Sequence, residues 1–582
     1  MKPLIIHNNN SYLISQNVNY LHSLGFSANN KEDIDFQITE FLLKNVLPIN
    51  TTAIFIKAIL STNYLEYLGL RVAIHIRLSS KLPQLQELPI IILCEETFEE
   101  LSKTCQFPEF LHTEGLYFSN ESPEQLDIFI NLLNQGKLPG CNSIPDLVKS
   151  LHIAPPANYL SHHSIANEWS ILRWAKVLNI PTETPLLYEV RKNIESFLYY
   201  KYLQVLNPIS NLPGCTGFNI KGKGKILYID DEWNKGWDVV LRKLVSSSPD
   251  VLFETFKNDF KDKSHNEILE DCKNKILSNS PDVVLLDLRL SDSDFSGSTK
   301  SNELTGYKVL REIKNINPGI QVIIFTASNK VWNLLDLQLA GANGFCLKES
   351  PELSINSSFS IESLKSLCDQ VSNCLSYAYL KEIWSLSDQI KKVFSKNPLT
   401  TKYFPKNLHE QLNGIKYQNL LLQELDAMFE ILKTNNENRL NFSMIMLYKI
   451  LEYLNEIFYQ KVPADKAPVF FDGITVDFFD RETKTWKKPN DSLIRLNKST
   501  KKPETRKINF EWLKSTSNKS INLAVKKLKI NDDSLLFNLI SLSNYRNDFI
   551  HSDTSRRNKL KSLNAQDILI WMNSVASIIK KI

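Results

Sequence analysis

Apolar and polar positions follow three successive textures along this chain. Up to about residue 138, short apolar runs alternate with polar stretches of helical period, as in an α/β unit. From 139 to 220 the pattern is helical, punctuated by Pro155-Pro156, Pro181, Pro185 and Pro208. From Lys225 to about Ser350 the α/β alternation returns with stronger strands: Ile226-Leu227-Tyr228-Ile229, Val283-Val284-Leu285-Leu286, Val322-Ile323-Ile324-Phe325 and Gly344-Phe345-Cys346-Leu347. Unbroken apolar strands alternating with helices predict a parallel sheet covered on both faces. Beyond about 360 the period is helical, apart from a polar, Lys-rich interruption near 464 to 530. Within it, residues 466–473 and 476–480, either side of Gly473, predict the start of a small hairpin.

The stretch from Leu364 to Phe394 carries apolar residues at three- and four-residue steps, among them Leu367, Val371, Leu375, Ile383, Leu386 and Ile390. It reads either as a kinked core helix or as a rod joining two domains. As one helix at roughly 1.5 Å per residue, it would reach over about 40 Å. In the segment from His162-His163 to Trp169 the adjacent histidines point different ways, so Trp169 and Trp174 read as core rather than as part of a site.

At 582 residues the chain is too long for one core. The formal net charge of +4 is small for that length, so any basic surface must be local. The eight cysteines form no C-x-x-C pair, which argues against a zinc site or a disulfide framework. The start from Met1 to His7 lacks the apolar run of a signal peptide, and no run of about 18 apolar residues occurs anywhere. The expected setting is cytoplasmic, without membrane contact.

Each strong strand of the 225–350 region ends in a polar residue: Asp230-Asp231, Asp287, Thr326 and Lys348. In parallel sheets the ligand site lies at these carboxyl ends. Three clustered carboxylates repel one another and gain from a hard cation such as Mg²⁺. Such an ion also neutralises a phosphoryl donor, so that a carboxylate can attack it. This ordered set resembles the receiver domain of two-component response regulators over residues 223–375. The resemblance makes Asp287 the phosphorylated residue, Asp230 and Asp231 the acidic pair, and Thr326, Phe345 and Lys348 the switch residues. It makes Asp230, Asp231, Asp287 and the backbone carbonyl of Arg289 the Mg²⁺ ligands, and a sensor histidine kinase the partner. Two features depart from the family: a longer, Ser- and Asp-rich loop from Ser291 to Thr305, and Glu349 where proline usually follows the lysine.

The first unit resembles a receiver that has lost its chemistry. Ala53 to Lys57, the helix from Gly69, Ile90 to Cys94 and Gly115 to Ser119 run parallel to the elements carrying Asp287, Gly306, Thr326 and Lys348. Lys57 then stands at the acceptor position, Cys94 at the hydroxyl and Ser119 at the lysine. A lysine there neither accepts phosphate nor binds Mg²⁺, but it can pair with a nearby carboxylate. An unrelated α/β domain is the alternative, and docking or dimer contacts are the expected role.

Near the C-terminus, Arg546-Asn547-Asp548-Phe549-Ile550-His551 follows a long apolar helix. Arg-x4-His in that helical setting resembles the HEPN superfamily, which includes many metal-independent RNases. The resemblance makes Arg546, Asn547 and His551 catalytic in RNA cleavage by the RNA's own 2′-hydroxyl, with no cofactor. His can exchange a proton near neutral pH, and Arg can clamp a phosphate. Five residues on an ideal helix turn through about 500°, which leaves the two side chains about 140° apart. Two motifs facing across a homodimer, or a helix ending near His551, make a better site. From Arg481 to Ile530 fifteen Lys or Arg stand against four Asp or Glu, with Trp486, Phe510 and Trp512 interleaved. That pattern suits phosphates and stacked bases, or else a solvated insertion.

The fold class expected is multidomain α/β plus all-α. It comprises a degenerate receiver-like flavodoxin-like domain (1–138), a helical linker region (139–220), a phospho-acceptor receiver domain (221–375), a connecting helix (376–400) and a HEPN-like helical bundle (401–582). The expected function is a response regulator that controls an endoribonuclease, in phage defence or growth arrest. A non-catalytic interaction regulator or a nucleic-acid-binding regulator is the alternative.

Overall fold

The computed structural model describes residues 2–8, 21–26, 34–61, 67–154, 163–181, 184–209, 212–295, 300–327, 333–349, 357–396, 408–489, 491–496, 503–550 and 563–582. It divides into two compact units. One comprises Met1–Lys275, Leu285–Val309 and Ile323–Ser372, the other Ile276–Val284, Leu310–Val322 and Asn373–Ile582.

The first sheet is built from β1 (Leu4–His7), β2 (His22–Gly25), β3 (Ile54–Lys57), β4 (Ile90–Leu93) and β5 (Leu116–Ser119). The strands are parallel in the order β2-β1-β3-β4-β5. Helices α1 (Ile34–Phe41), α2 (Leu68–Leu78), α3 (Phe98–Thr104) and α4 (Pro123–Asn134) alternate with them. The central strands are apolar along their length because both faces are covered, and Ile54, Phe55 and Ile56 are fully enclosed.

Behind α2 lies a buried polar chain. Asp35 of α1 accepts from Arg71 Nε at 2.7 Å and pairs with His75 Nε2 at 2.8 Å, while Lys201 Nζ reaches His75 Nδ1 at 3.0 Å. Burial pushes His75 down to about 4; Lys201 adds to the shift and Asp35 opposes it. The unfolded chain, with a histidine near 6.5, therefore binds more protons than the native state between those values. Stability falls as pH drops through that window. Melting curves at pH 7 and pH 5 should show the loss, and His75→Gln should flatten the slope between them. An unchanged slope in His75→Gln would assign the acid sensitivity elsewhere.

A helical stretch follows: α5 (Ile144–Ser150), α6 (His163–Val177), α7 (Pro185–Ser196) and α8 (Leu198–Leu206). Trp169 and Trp174 of α6 are fully buried, as their core reading requires. The second sheet then forms from β6 (Gly224–Ile229), β7 (Val251–Thr255), β8 (Val283–Leu286), β9 (Gln321–Thr326) and β10 (Gly344–Leu347), in the order β10-β9-β8-β6-β7. Its helices are α9 (Trp237–Val245), α10 (His265–Asn279), α11 (Thr305–Ile316), α12 (Asn333–Leu339) and α13 (Ser357–Ser376). Both sheets thus share the 2-1-3-4-5 order of flavodoxin-like folds, and the expected fold class is observed.

The periodic stretch from Leu364 to Phe394 is not one helix. It breaks at Tyr377-Ala378 between α13 and α14 (Tyr379–Lys396). The apolar step continues across the break, which is why the pattern hides it. In the second unit α14 packs with α15 (Leu408–Leu432), α16 (Arg439–Phe458), α19 (Asp533–Ile550) and α20 (Ala565–Lys581) around Ile390, Leu425, Leu451, Leu539 and Met572. Between α16 and α19 lie two small antiparallel hairpins, β11 (Phe478–Asp480) with β12 (Thr485–Lys487) and β13 (Ser492–Leu496) with β14 (Pro503–Lys507), then α17 (Phe510–Lys514) and α18 (Thr516–Asn522). Around Gly473 the expected pairing is reduced to a single bridge, Val469 with Thr475. Among the described residues, no helix is long and apolar enough to cross a membrane.

Candidate phosphoryl-acceptor site

Strands β6 and β8 lie side by side and end at the point where the strand order reverses. Asp230 and Asp231 follow β6, and Asp287 follows β8. Asp287 is anchored by its own N–H, which donates to the Ile229 carbonyl at 3.0 Å. Each of the three carboxyl groups offers an oxygen within 4.8 Å of the others. Lys348 Nζ bridges two of them, at 2.6 Å from Asp230 and 2.9 Å from Asp287. Asp230 also accepts from the Tyr228 hydroxyl at 2.7 Å and the Glu232 N–H at 2.7 Å.

Burial and the neighbouring Asp230 and Asp287 charges push Asp231 up to about 9. Burial raises Asp230 too, against the pull of Lys348. Burial alone would lower Lys348, but Asp230 and Asp287 outweigh it and hold the amine above its ordinary value. One lysine therefore leaves the trio short of positive charge. That donor set of hard, crowded oxygens fits a divalent cation such as Mg²⁺. When bound, the ion supplies charge neutralisation for an incoming phosphoryl donor.

The other expected residues fall around this centre. Thr326 ends β9, almost fully buried, and its carbonyl accepts from the Lys348 N–H at 2.8 Å. Phe345 sits half-buried on the edge strand β10, where Gln370 of α13 clamps its backbone: the Phe345 N–H donates to Oε1 at 2.7 Å and its carbonyl accepts from Nε2 at 2.9 Å. Arg289 lies half-buried two residues past Asp287. Gly306 opens α11 against the acceptor strand, and a Cβ there would fall 2.2 Å from the Asp287 carbonyl oxygen. The long loop after Ser291 is organised by Asp294, which is buried and accepts from the N–H groups of Leu290 (3.0 Å), Ser291 (3.1 Å) and Thr305 (3.1 Å).

Nothing in the sequence pattern marks what α6 does. Its face at 167, 170, 173 and 174 lies against this domain. Asn167 donates to Glu232 at 2.6 Å, beside the acidic pair. Ser170 bonds the Glu349 carbonyl, and Arg173 Nε meets Glu349 Oε1 at 2.6 Å. Trp174 stands edge-on to Trp237 at 5.2 Å and touches Phe325. Glu349, fully buried where the receiver family usually has proline, is thus one half of a buried ion pair with Ser360 as a further donor at 2.7 Å. The one sequence signal was that substitution, and its partner lies in another texture of the chain.

In the first sheet Lys57 takes the place that Asp287 takes in the second. A Cβ at Gly69 would fall 2.0 Å from the Lys57 carbonyl oxygen, matching Gly306 against Asp287. Lys57 forms the expected carboxylate pair, with Glu121 at 3.0 Å. Among the described residues only Asp230, Asp231 and Asp287 make a cluster able to hold a metal.

Residues 8–119 match the inactive receiver domain family (iREC). The first domain is therefore similar to an inactive receiver, and the second repeats its parallel strand order. Similar solved structures include a LuxR-family two-component response regulator from Aurantimonas sp. SI85-9A1, at 18% identity over 25% of this chain and 86% of that one, with a TM-score of 0.17. NtrX from Brucella abortus is similar at 23% identity over 26% of this chain and 29% of its own, with a TM-score of 0.16. A receiver domain of a modulated diguanylate cyclase from Desulfovibrio desulfuricans G20 is 16% identical over 25% of this chain and 97% of that one, with a TM-score of 0.15. No curated protein matches.

At the C-terminal end, α19 carries Arg546 and Asn547, while His551 lies outside the described residues. The Arg546 guanidinium rests 4.9 Å from the Tyr448 ring centre and donates to Asn547 Oδ1 at 3.2 Å. The basic interruption is less open than its composition suggests. Arg495 pairs with Asp480 at 2.5 Å, Lys526 with Asp477 at 2.5 Å, Lys527 with Asp472, and Arg506 with Glu504. Trp486 and Phe510 pack against the helical core, and Trp512 leans on Phe478. Trp486 and Phe510 are therefore engaged in packing, while Trp512 remains exposed.

Proposed function

We propose that the chain is a response regulator loaded at Asp287 by a sensor histidine kinase in the presence of Mg²⁺, and that its output is a HEPN-type, metal-independent endoribonuclease. The observation that carries the first half is Lys348 bridging Asp230 and Asp287 beside a third crowded carboxylate. An Asp287 carboxylate oxygen bonds the phosphorus as the bond from phosphorus to the donor's imidazole nitrogen breaks, and that nitrogen keeps the electron pair. Lys348, already on Asp287, pairs with the phosphoryl oxygens, and the Thr326 hydroxyl donates to one of them. The change reaches Phe345 and, through Glu349 next to Lys348, the α6 clasp. The helix after Leu364 is the second route outward.

For the output, Arg546 holds the RNA phosphate and His551 takes or gives the proton, with Asn547 beside them. The site is completed by a second copy of the chain. Tenfold control by phosphate needs about 1.4 kcal/mol between states. Growth arrest or phage defence is the role that suits a nuclease held in reserve.

The test is RNA cleavage by the purified chain in EDTA, then with Mg²⁺ and acetyl phosphate. Wild type should cleave in both; His551→Ala should lose cleavage by at least about a hundredfold, or roughly 2.7 kcal/mol. Asp287→Ala should cleave but ignore acetyl phosphate. Absence of cleavage across several RNAs would favour the second reading, a non-catalytic interaction or nucleic-acid-binding regulator. The packing of Arg546 on Tyr448 and the paired basic segment are what speak for it.

A further inference from the structure

A cavity of about 600 Å³ opens within the first unit, away from the acidic trio. Its walls come from the iREC-like domain and from α5, α6, α7 and α8. That volume lies in the range of small-molecule sites, about 300–1,000 Å³. Four cations line it, Lys81, Lys176, Arg191 and Lys201, against one carboxylate, Glu195. Glu195 pairs with Lys81 and, at 2.7 Å, with Arg191, so a single negative group serves two of the four. Lys201 is almost fully buried at the back of the cavity. There it donates to Thr39 Oγ1 at 2.9 Å and to His75 at 3.0 Å, with Asp35 behind His75. Gln204 lines the cavity too, and its enclosed Nε2 has no acceptor among the described residues. Leu78, Leu172 and Val205 supply an apolar wall.

We propose that this cavity binds a nucleotide-sized organic phosphate. With Lys201 charged, the cations exceed the carboxylate by three, which matches a phosphate or diphosphate group that Lys and Arg recognise directly. The donor left open on Gln204 and the hydroxyl of Ser79 suit further phosphoryl or sugar oxygens. The apolar wall suits a base, which inorganic phosphate alone would leave uncovered. With only one carboxylate on its walls, the site calls for no bridging metal. Burial pushes Lys201 down to about 7 against the pull of Asp35 and Glu195, and an anion at the back of the cavity would restore its charge. The ligand would also touch α6 through Leu172 and Lys176, the helix whose Asn167 and Arg173 hold Glu232 and Glu349. Occupancy here would thus add to the stability of the clasp on the acceptor domain.

The experiment is calorimetric titration of the full chain with ADP, inorganic pyrophosphate and inorganic phosphate, all in EDTA so that the acidic trio holds no metal. ADP is expected to bind in the micromolar range, at least tenfold more tightly than pyrophosphate. Lys176→Ala and Arg191→Ala, at half-buried and exposed positions, should each weaken ADP about tenfold. Lys103→Ala, an equal loss of charge outside the cavity, should leave the affinity within twofold. Equal affinities for pyrophosphate and ADP would overturn the nucleotide-sized assignment. The cavity itself would be ruled out as the site if none of the three probes bound at millimolar concentration. ADP binding equally to Lys176→Ala, Arg191→Ala and wild type would rule it out as well.

Discussion

Incubated with Mg²⁺ and acetyl phosphate, the wild-type chain should take up one phosphoryl group, and Asp287→Asn should take up none. The expectation rests on charge. Asp287 faces Asp230, Asp231 and one lysine, and the amide of asparagine offers neither a nucleophilic oxygen nor the negative charge that draws a cation. The loss should be at least about a hundredfold, or roughly 2.7 kcal/mol in the barrier. EDTA should abolish labelling of wild type. Hydroxylamine should release the label, because the linkage is a mixed anhydride of a carboxyl group. Stoichiometric label in Asp287→Asn would place the acceptor elsewhere in the chain.

The second large effect concerns folding. Arg173→Ala leaves the Glu349 carboxylate fully buried, with Ser360 as a remaining side-chain donor. Breaking one side of a buried pair costs about 3–5 kcal/mol, because the other charge stays desolvated. Calorimetric melting of wild type, Arg173→Ala, Glu349→Ala and the double variant closes a cycle. A coupling of more than about 1.5 kcal/mol is expected, with the double variant no worse than either single one. A coupling near zero would mean that solvent reaches Glu349 after all, and that the clasp contributes little.

The strands around the acidic trio were legible because a strand covered on both faces must be apolar throughout. β6, β8 and β9 are of that kind, and a polar residue at each end stands out against the run. β7 escaped because it is an edge strand, with Leu252 mostly exposed, and its apolar run is only three residues long before Glu254 and Thr255. The break at Tyr377-Ala378 escaped because no proline or glycine marks it and the apolar step runs on. The α6 clasp was out of reach for a different reason. Arg173 and Glu349 each look like an ordinary surface charge, and only the fold brings them to 2.6 Å. Likewise the aromatics of the basic interruption follow a spacing that suits bases as well as it suits a core. Packing against the helical core and β11 decides for the core at Trp486 and Phe510, while Trp512 stays exposed beside Phe478.

Gly69 and Gly306 share one demand: each lets a helix start where a methyl group would collide with a strand's carbonyl oxygen. That demand is indifferent to what the strand's last side chain does. A domain drifting away from phosphate chemistry can exchange its nucleophile for a lysine without shifting its backbone, since the strand's last side chain points away from the helix start. It cannot exchange the glycine without moving a helix by more than an ångström. In decayed relatives of this architecture, the scar of ancestry is therefore better sought in the missing side chain than in the residues that once reacted.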